Sequence, residues 1–256
     1  MANTTTTKVN RLGLTHRQTV MIVLLLVGTF VTVLNQTVVA PALPSIMVDM
    51  SINAATAQWL TTGFTLVNAI MVPVTAFLID RFPIRNLFLF SMSIFAIGSL
   101  LAAWGPNFPV LLSGRIVQAV GAGVLMPMVM SVLMLTFPVE KRGTAMGLFS
   151  IVIAFAPAIG PTVGGAVSSV LPWRAIFVIA IPIVLLVSLP LGLHCIEQKR
   201  PTEDARLNPV QFVAIVLALS GMILALNQMG VAVSAAVNGS SATRPVIITV
   251  VSLVVG

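Results

Sequence analysis

Eight apolar runs follow one another along this chain, at 18–43, 55–79, 87–104, 108–135, 144–170, 174–194, 209–230 and 245–256. All but the last reach or approach the roughly 20 residues that a helix needs to cross a bilayer. Inside lipid no water is available to satisfy peptide groups, so a segment of this kind must close its own hydrogen bonds as a helix. The repetition therefore predicts an all-α fold, a polytopic membrane helix bundle. Charged residues make up 7% of the chain, against about a quarter in soluble globular domains.

The net charge of +7 would suggest nucleic acid as a partner in a soluble protein. Here the basic residues fall in short connections between apolar runs, which is a topology signal and gives no reason to expect nucleic acid. Lys8, Arg11 and Arg17 precede the first run; Arg81 and Arg85 follow the second; Lys141 and Arg142 follow the fourth; Lys199, Arg200 and Arg206 follow the sixth. The alternate connections carry only Arg174 and Arg244. Cytoplasmic loops are the ones rich in Lys and Arg, so the amino terminus, 1–17, is expected in the cytoplasm and the protein in the plasma or inner membrane. Trp59, Trp104 and Trp173 all fall at helix ends on the expected outer face, where indole rings favour the interface.

Other chemistries find little support. Cys195 is the single cysteine, and His16 and His194 stand apart, so neither a disulfide framework nor a metal site is expected. No GxxxxGK[ST] stretch and no nucleophile paired with a base at membrane depth occurs, and no catalytic residue or cofactor is expected. The sequon at Asn238 arises easily by chance.

One charge does lie within an apolar run. Arg115 stands seven residues into 108–135, a depth of roughly 10 Å at about 1.5 Å per helical residue. A cation there is costly unless it faces a partner, a wet cavity or a ligand. Gln118 and Ala122 share its helix face, and Gly114 and Gly121 form a second pair seven apart. Asn35 lies eight residues from the outer end of the first run, so it and Arg115 are expected at one depth. The polar candidates are Thr32, Asn35 and Gln36 in the first run, Asn68 in the second, and Arg115 and Gln118 in the fourth. Together they predict a central site for a small neutral or anionic amphipathic substrate. In the alternative, Arg115 snorkels to the outer headgroups and the amides only join helices.

Five stretches then carry a family likeness: LNQTVVAPALPSI (34–46), AFLIDRFPIRN (76–86), LLSGRIVQAVGAG (111–123), APAIGPTVGG (156–165) and WRAIF (173–177). In this order the chain resembles the major facilitator superfamily, specifically its drug:proton antiporter branch with fourteen transmembrane segments. The resemblance implies a six-helix half over 18–194, a cytoplasmic linker at 195–208, and at 209–256 an additional helix and a following one cut short. It implies multidrug or small-solute efflux by alternating access, with a second bundle as partner. A truncated, non-transporting remnant or interaction scaffold is the rival expectation.

The likeness also assigns gating roles. Asp80, Arg81 and Arg85 would form an inner latch or, for Asp80, cap the next helix. Pro157, Gly160, Pro161, Gly164 and Gly165 would shape the fifth span, prolines by removing hydrogen bonds and glycines by admitting a neighbouring backbone. The sequence departs from the family at Ala76, Pro83, Ile84 and Ala156, and above all at Asn35, where the branch usually places an Asp. An amide does not titrate. All six acids, Asp49, Asp80, Glu140, Glu197, Glu203 and Asp204, fall in loops or at helix ends. The proton coupling that the likeness implies is therefore expected to use groups other than this pair.

Overall fold

The computed structural model describes residues 14–184 and Gly221. The expected linker at 195–208 and the helices at 209–256 lie outside the described residues, as do most of the amino-terminal tail and the second half of the sixth run. The described residues form α1 (His16–Val38), α2 (Leu43–Asp49), α3 (Ala54–Arg81), α4 (Ile84–Trp104), α5 (Phe108–Thr136), α6 (Arg142–Val170) and α7 (Ala175–Pro182), with single 3-10 turns at Ala40–Ala42 and Val139–Lys141. Five of their helical segments are long and apolar enough to cross a membrane, and they form an all-α, multi-pass bundle.

Local chemistry sets the ends. At α1, Thr15 Oγ1 accepts from the Gln18 backbone N–H at 3.3 Å while Gln18 Oε1 accepts from the Thr15 N–H at 2.9 Å, a reciprocal cap that the sequence reading had not singled out. Asn53 and Asn107 cap α3 and α5, their Oδ1 atoms accepting from Thr56 and Val110 N–H groups at 2.8 and 3.1 Å. The carboxyl-terminal ends of α3, α5 and α6 share one stop signal. Phe82, Phe137 and Leu171 each precede a proline and take extended backbone, because the proline ring disfavours the helical region for its predecessor.

Two expectations need correction. The first run was expected to continue as one helix to 43, but α1 ends at Val38 and a 3-10 turn leads into α2. Pro41 and Pro44 are the second residues of those two new segments, in the first turn, where a missing N–H breaks no helical bond. Asp80 does not cap α4, whose cap position is Pro83 and has no side-chain hydrogen bond.

The buried core divides into two apolar clusters. One gathers Val31, Phe64, Phe95, Ala96, Ala119 and Ala122 with residues toward the end expected to be inner. The other gathers Val38, Leu60, Ala102, Leu111, Trp173 and Phe177 toward the end expected to be outer. The central helix is α5, which packs against α4 through glycine. A methyl group on Gly114 would lie 2.6 Å from the Ala102 backbone nitrogen, and one on Gly121 would lie 2.5 Å from the Ser91 carbonyl oxygen. Only glycine lets the two backbones approach so closely.

Candidate functional site

The boundary between the two apolar clusters is polar, and four helices contribute to it. On α5, Arg115 lies between Leu111 of the outer cluster and Ala119 of the inner one; on α1, Asn35 lies between Val38 and Val31. On α3 the boundary falls between Leu60 and Phe64, and on α4 Ser99 sits between Ala102 and Ala96. Residues three or four apart share a helix face, so each chain segment presents its polar group at the same level.

Arg115 is fully buried. Its Nη1 donates to Asn35 Oδ1 at 2.8 Å and to Gln118 Oε1 at 3.0 Å, and its Nε donates to the Leu60 carbonyl at 3.4 Å. Gln118 Nε2 donates onward to Ser99 Oγ at 2.7 Å, and Ser99 Oγ donates to the Phe95 carbonyl at 2.9 Å. The guanidinium carbon stands 4.2 Å from the centre of the Phe64 ring and 5.9 Å from that of Phe177. Nη2 is buried and has no hydrogen-bond partner. Snorkelling to the outer headgroups is thereby ruled out for this side chain.

Magnitudes explain how a lone cation is tolerated. The effective cost of burying an ion is several kcal/mol. Hydrogen bonds involving a charged group return about 1.5–3 kcal/mol each, and a desolvated cation over a ring about 2 kcal/mol. Three bonds and two rings are of the same order as the cost. Among the described residues no carboxylate takes part, and the acceptors that hold the charge are neutral. The cluster has no acid to titrate and no nucleophile with a base; its chemistry is a fixed positive potential and hydrogen bonding.

Of the six polar candidates, Asn35, Arg115 and Gln118 are brought together. Thr32 is buried nearby on α1, yet its hydroxyl donates to the Thr29 carbonyl of its own helix at 2.9 Å. Gln36 and Asn68 are half-buried and join no hydrogen bond of the cluster among the described residues. Leu60, Phe64, Ser99 and Phe177 were missed. A backbone acceptor and an aromatic ring give no polar signal in sequence, whereas the Gly98-Ser99 step in an apolar run was a legible one.

The gating candidates separate likewise. A methyl group on Gly160 or Gly164 would run into α1, at Thr37 Oγ1 and the Val38 carbonyl respectively, whereas one on Gly165 would meet nothing within 4 Å. Pro157 and Pro161 lie inside α6, which remains one continuous helix. At the opposite end of the bundle, Asp80 and Arg81 are exposed and Arg85 half-buried; Arg81 stands 5.8 Å from the Phe77 ring centre. Asp80 forms no ion pair among the described residues. An ion pair forms at the other end of the bundle, where Arg174 Nη1 meets Asp49 Oδ2 at 2.7 Å. Asp49 Oδ2 also accepts from Trp173 Nε1 at 3.1 Å, and Arg174 Nη2 donates to the Gly105 carbonyl at 3.4 Å. Trp173, expected at the lipid interface, is therefore a packed and hydrogen-bonded residue, while Trp59 and Trp104 are exposed.

A model of the Major Facilitator Superfamily matches residues 25–254. Over 204 residues the chain is 45% identical to YcnB, an uncharacterized MFS-type transporter of Bacillus subtilis, covering 80% of this chain and 42% of that protein. It is 37% identical over 211 residues to the lincomycin resistance protein LmrB of the same organism, covering 82% and 44%. It is 34% identical over 195 residues to the multidrug export protein EmrB of Haemophilus influenzae, covering 76% and 38%. The chain thus spans about two fifths of the length of these curated relatives. Among solved structures it is similar in fold to a bacterial homolog of the human lysosomal transporter Spinster in an inward-facing, unoccupied conformation. The TM-score is 0.62 at 20% identity, over 85% of this chain and 53% of that one.

Proposed function

This chain belongs to the Major Facilitator Superfamily, and on that premise we propose that it acts in secondary export of small amphipathic solutes by alternating access. The observation that carries the reading is the fully buried Arg115, bonded across α1, α3 and α5 by neutral acceptors. A cation at that depth is costly enough that intramembrane arginines are functional candidates by default. Names of relatives, lincomycin resistance protein and multidrug export protein, support export as the direction and drugs as the class. Arg115, Asn35 and Gln118 set the potential and hydrogen bonding of the site, with Thr32, Gln36 and Asn68 on its margins.

The two least buried spans, α3 and α6, are where a second helix bundle would pack. The rocking contact on this side is α6 against α1 at Gly160 and Gly164, and Asp80, Arg81 and Arg85 close the inner mouth against groups outside the described residues. The basic loops support a cytoplasmic amino terminus and placement in the cell membrane. Proton coupling, where it occurs, uses titrating groups other than Asn35 and Arg115.

The test is efflux of lincomycin and of the neutral amphipath chloramphenicol from an export-deficient bacterial strain carrying the chain, with membrane levels of protein measured in parallel. Expression lowers accumulation of at least one solute. Arg115→Lys keeps the charge but replaces the planar fork that spans Asn35, Gln118 and Leu60; its efflux falls about tenfold, the equivalent of about 1.4 kcal/mol. Equal efflux by Arg115→Lys and the unaltered chain overturns the role of Arg115, and no efflux of any solute overturns the transporter reading.

A further inference from the structure

Asn35 has a second end. Arginine only donates hydrogen bonds, so the 2.8 Å contact with Nη1 fixes the amide with Oδ1 toward the guanidinium and Nδ2 turned elsewhere. Nδ2 donates to no group among the described residues, although Asn35 is 96% buried. Nδ2 is nonetheless not sealed off, because the buried side-chain atom left without a partner among the described residues is Arg115 Nη2, so Nδ2 keeps a small accessible face. Asn35 also lines a recess of about 250 Å³ between α1, α6 and α7, whose other walls include Leu34, Val163, Val167, Ile176 and Ala180. Among the described residues, Asn35 is the one polar residue on that wall.

We propose that this recess binds an uncharged amphipathic molecule, holding its ring or short chain against the apolar wall and its carbonyl, ester or ether oxygen on Asn35 Nδ2. An apolar cavity of about 150 Å³ already admits benzene, so the volume suits one or two rings. A cationic group is disfavoured because Arg115 lies directly behind Asn35 and, among the described residues, no acid lines the wall. A carboxylate is disfavoured because Arg115 is covered and does not line the recess, leaving the anion desolvated without a direct partner. The unpartnered Nδ2 matches a neutral acceptor. The recess includes α7 and so extends beyond the margins of the central site, and its place on a transport route rests on the transporter reading.

The experiment uses the full chain in lipid vesicles and two photoreactive probes, neutral benzophenone and its (4-benzoylbenzyl)trimethylammonium analogue, with adducts mapped by mass spectrometry. Benzophenone labels Leu34, Val163, Val167 and Ile176 saturably, and the cationic analogue labels them at least tenfold less. Asn35→Leu lowers labelling at least fivefold. That variant also removes a partner of Arg115, so Val167→Phe, at a half-buried wall position, provides a second arm by filling the recess and abolishing saturable labelling.

Adducts that spread without saturation over the exposed Val23, Ile151 and Phe155, equal labelling by the cationic probe, or undiminished labelling of Val167→Phe overturns the proposal. Efflux measured on the same preparations separates the two readings. Failed labelling with intact efflux removes only the recess, and saturable labelling without efflux of any solute removes only the transporter.

Discussion

Gly114→Ala tests whether close approach of α4 and α5 positions the polar layer. The added methyl would lie 2.6 Å from the Ala102 nitrogen, 2.9 Å from the Gly98 carbonyl oxygen and 3.0 Å from the Ala102 Cα. All three are backbone atoms, so no side chain can swing away. Ordinary contact begins near 3.4 Å, and the helices must part by about 0.8 Å to reach it. Overpacking of a close-packed interior costs about 1–3 kcal/mol. At about 2 kcal/mol, and about 2–4 °C per kcal/mol for a chain of this size, the melting temperature falls by about 4–8 °C. The same displacement would stretch the 2.7 Å bond from Gln118 on α5 to Ser99 on α4 past the usual hydrogen-bond range, so efflux falls as well. Thermal unfolding of detergent-purified protein, followed by tryptophan fluorescence, reads the first effect and solute efflux the second. Gly165→Ala is the control, because nothing lies within 4 Å of its added methyl; it shifts the midpoint by no more than about 2 °C. Indistinguishable midpoints for the two variants would refute the argument that backbone approach at Gly114 is what sets the layer.

The cap and the outer clasp give smaller expected effects. Asn107→Ala removes the acceptor for the Val110 N–H at the start of α5 and costs about 1 kcal/mol, read as a lower melting temperature with efflux retained; an unchanged midpoint would show that water replaces the cap without cost. Asp49→Asn weakens the clasp to Arg174, but both side chains are more than a third exposed, so the midpoint moves by no more than about 2 °C and the difference vanishes in about 1 M salt. A larger, salt-insensitive loss would mean that the clasp acts through Trp173 packing.

Depth was legible in the sequence, and direction was not. Counting eight residues back from the end of one run and seven in from the start of another brought Asn35 to Arg115, because helical rise is uniform and α1 ends at the face where α5 begins. Gln118 followed from its spacing of three. Gln36 and Asn68 failed to join the cluster because proximity along a helix does not decide which way a residue faces when neighbours on both sides are apolar. Trp173 failed for a related reason: its position at a helix end matched an interfacial anchor, but Asp49, 124 residues away, offered its indole N–H an acceptor inside the bundle. Leu60 and Phe64 carry no polar side chain at all, and their part in holding a cation depends on a carbonyl and a ring face that only assembly brings to bear.

The choice of Asn at 35 has a mechanical consequence. A carboxylate beside Arg115 could be neutralised by a proton, so the field of the pair would differ between two protonation states. An amide has one protonation state, so this pair has no carboxylate proton with which to switch its field. Switching must then come from geometry. The contact able to supply it lies close by, since Gly160 of α6 packs on Thr37, two residues along α1 from Asn35, and Gly164 packs on Val38. With no side chain between the backbones, a shift of α6 reaches α1 directly, and α1 carries the Oδ1 that binds Nη1. The same movement alters the recess, because Val163 and Val167 of α6 and Leu34 and Asn35 of α1 form facing walls of it. Under the proposed transport reading, occupancy of the recess would be coupled to helix position through packing alone, and the charge on Arg115 would bias which solutes enter without taking part in the switch.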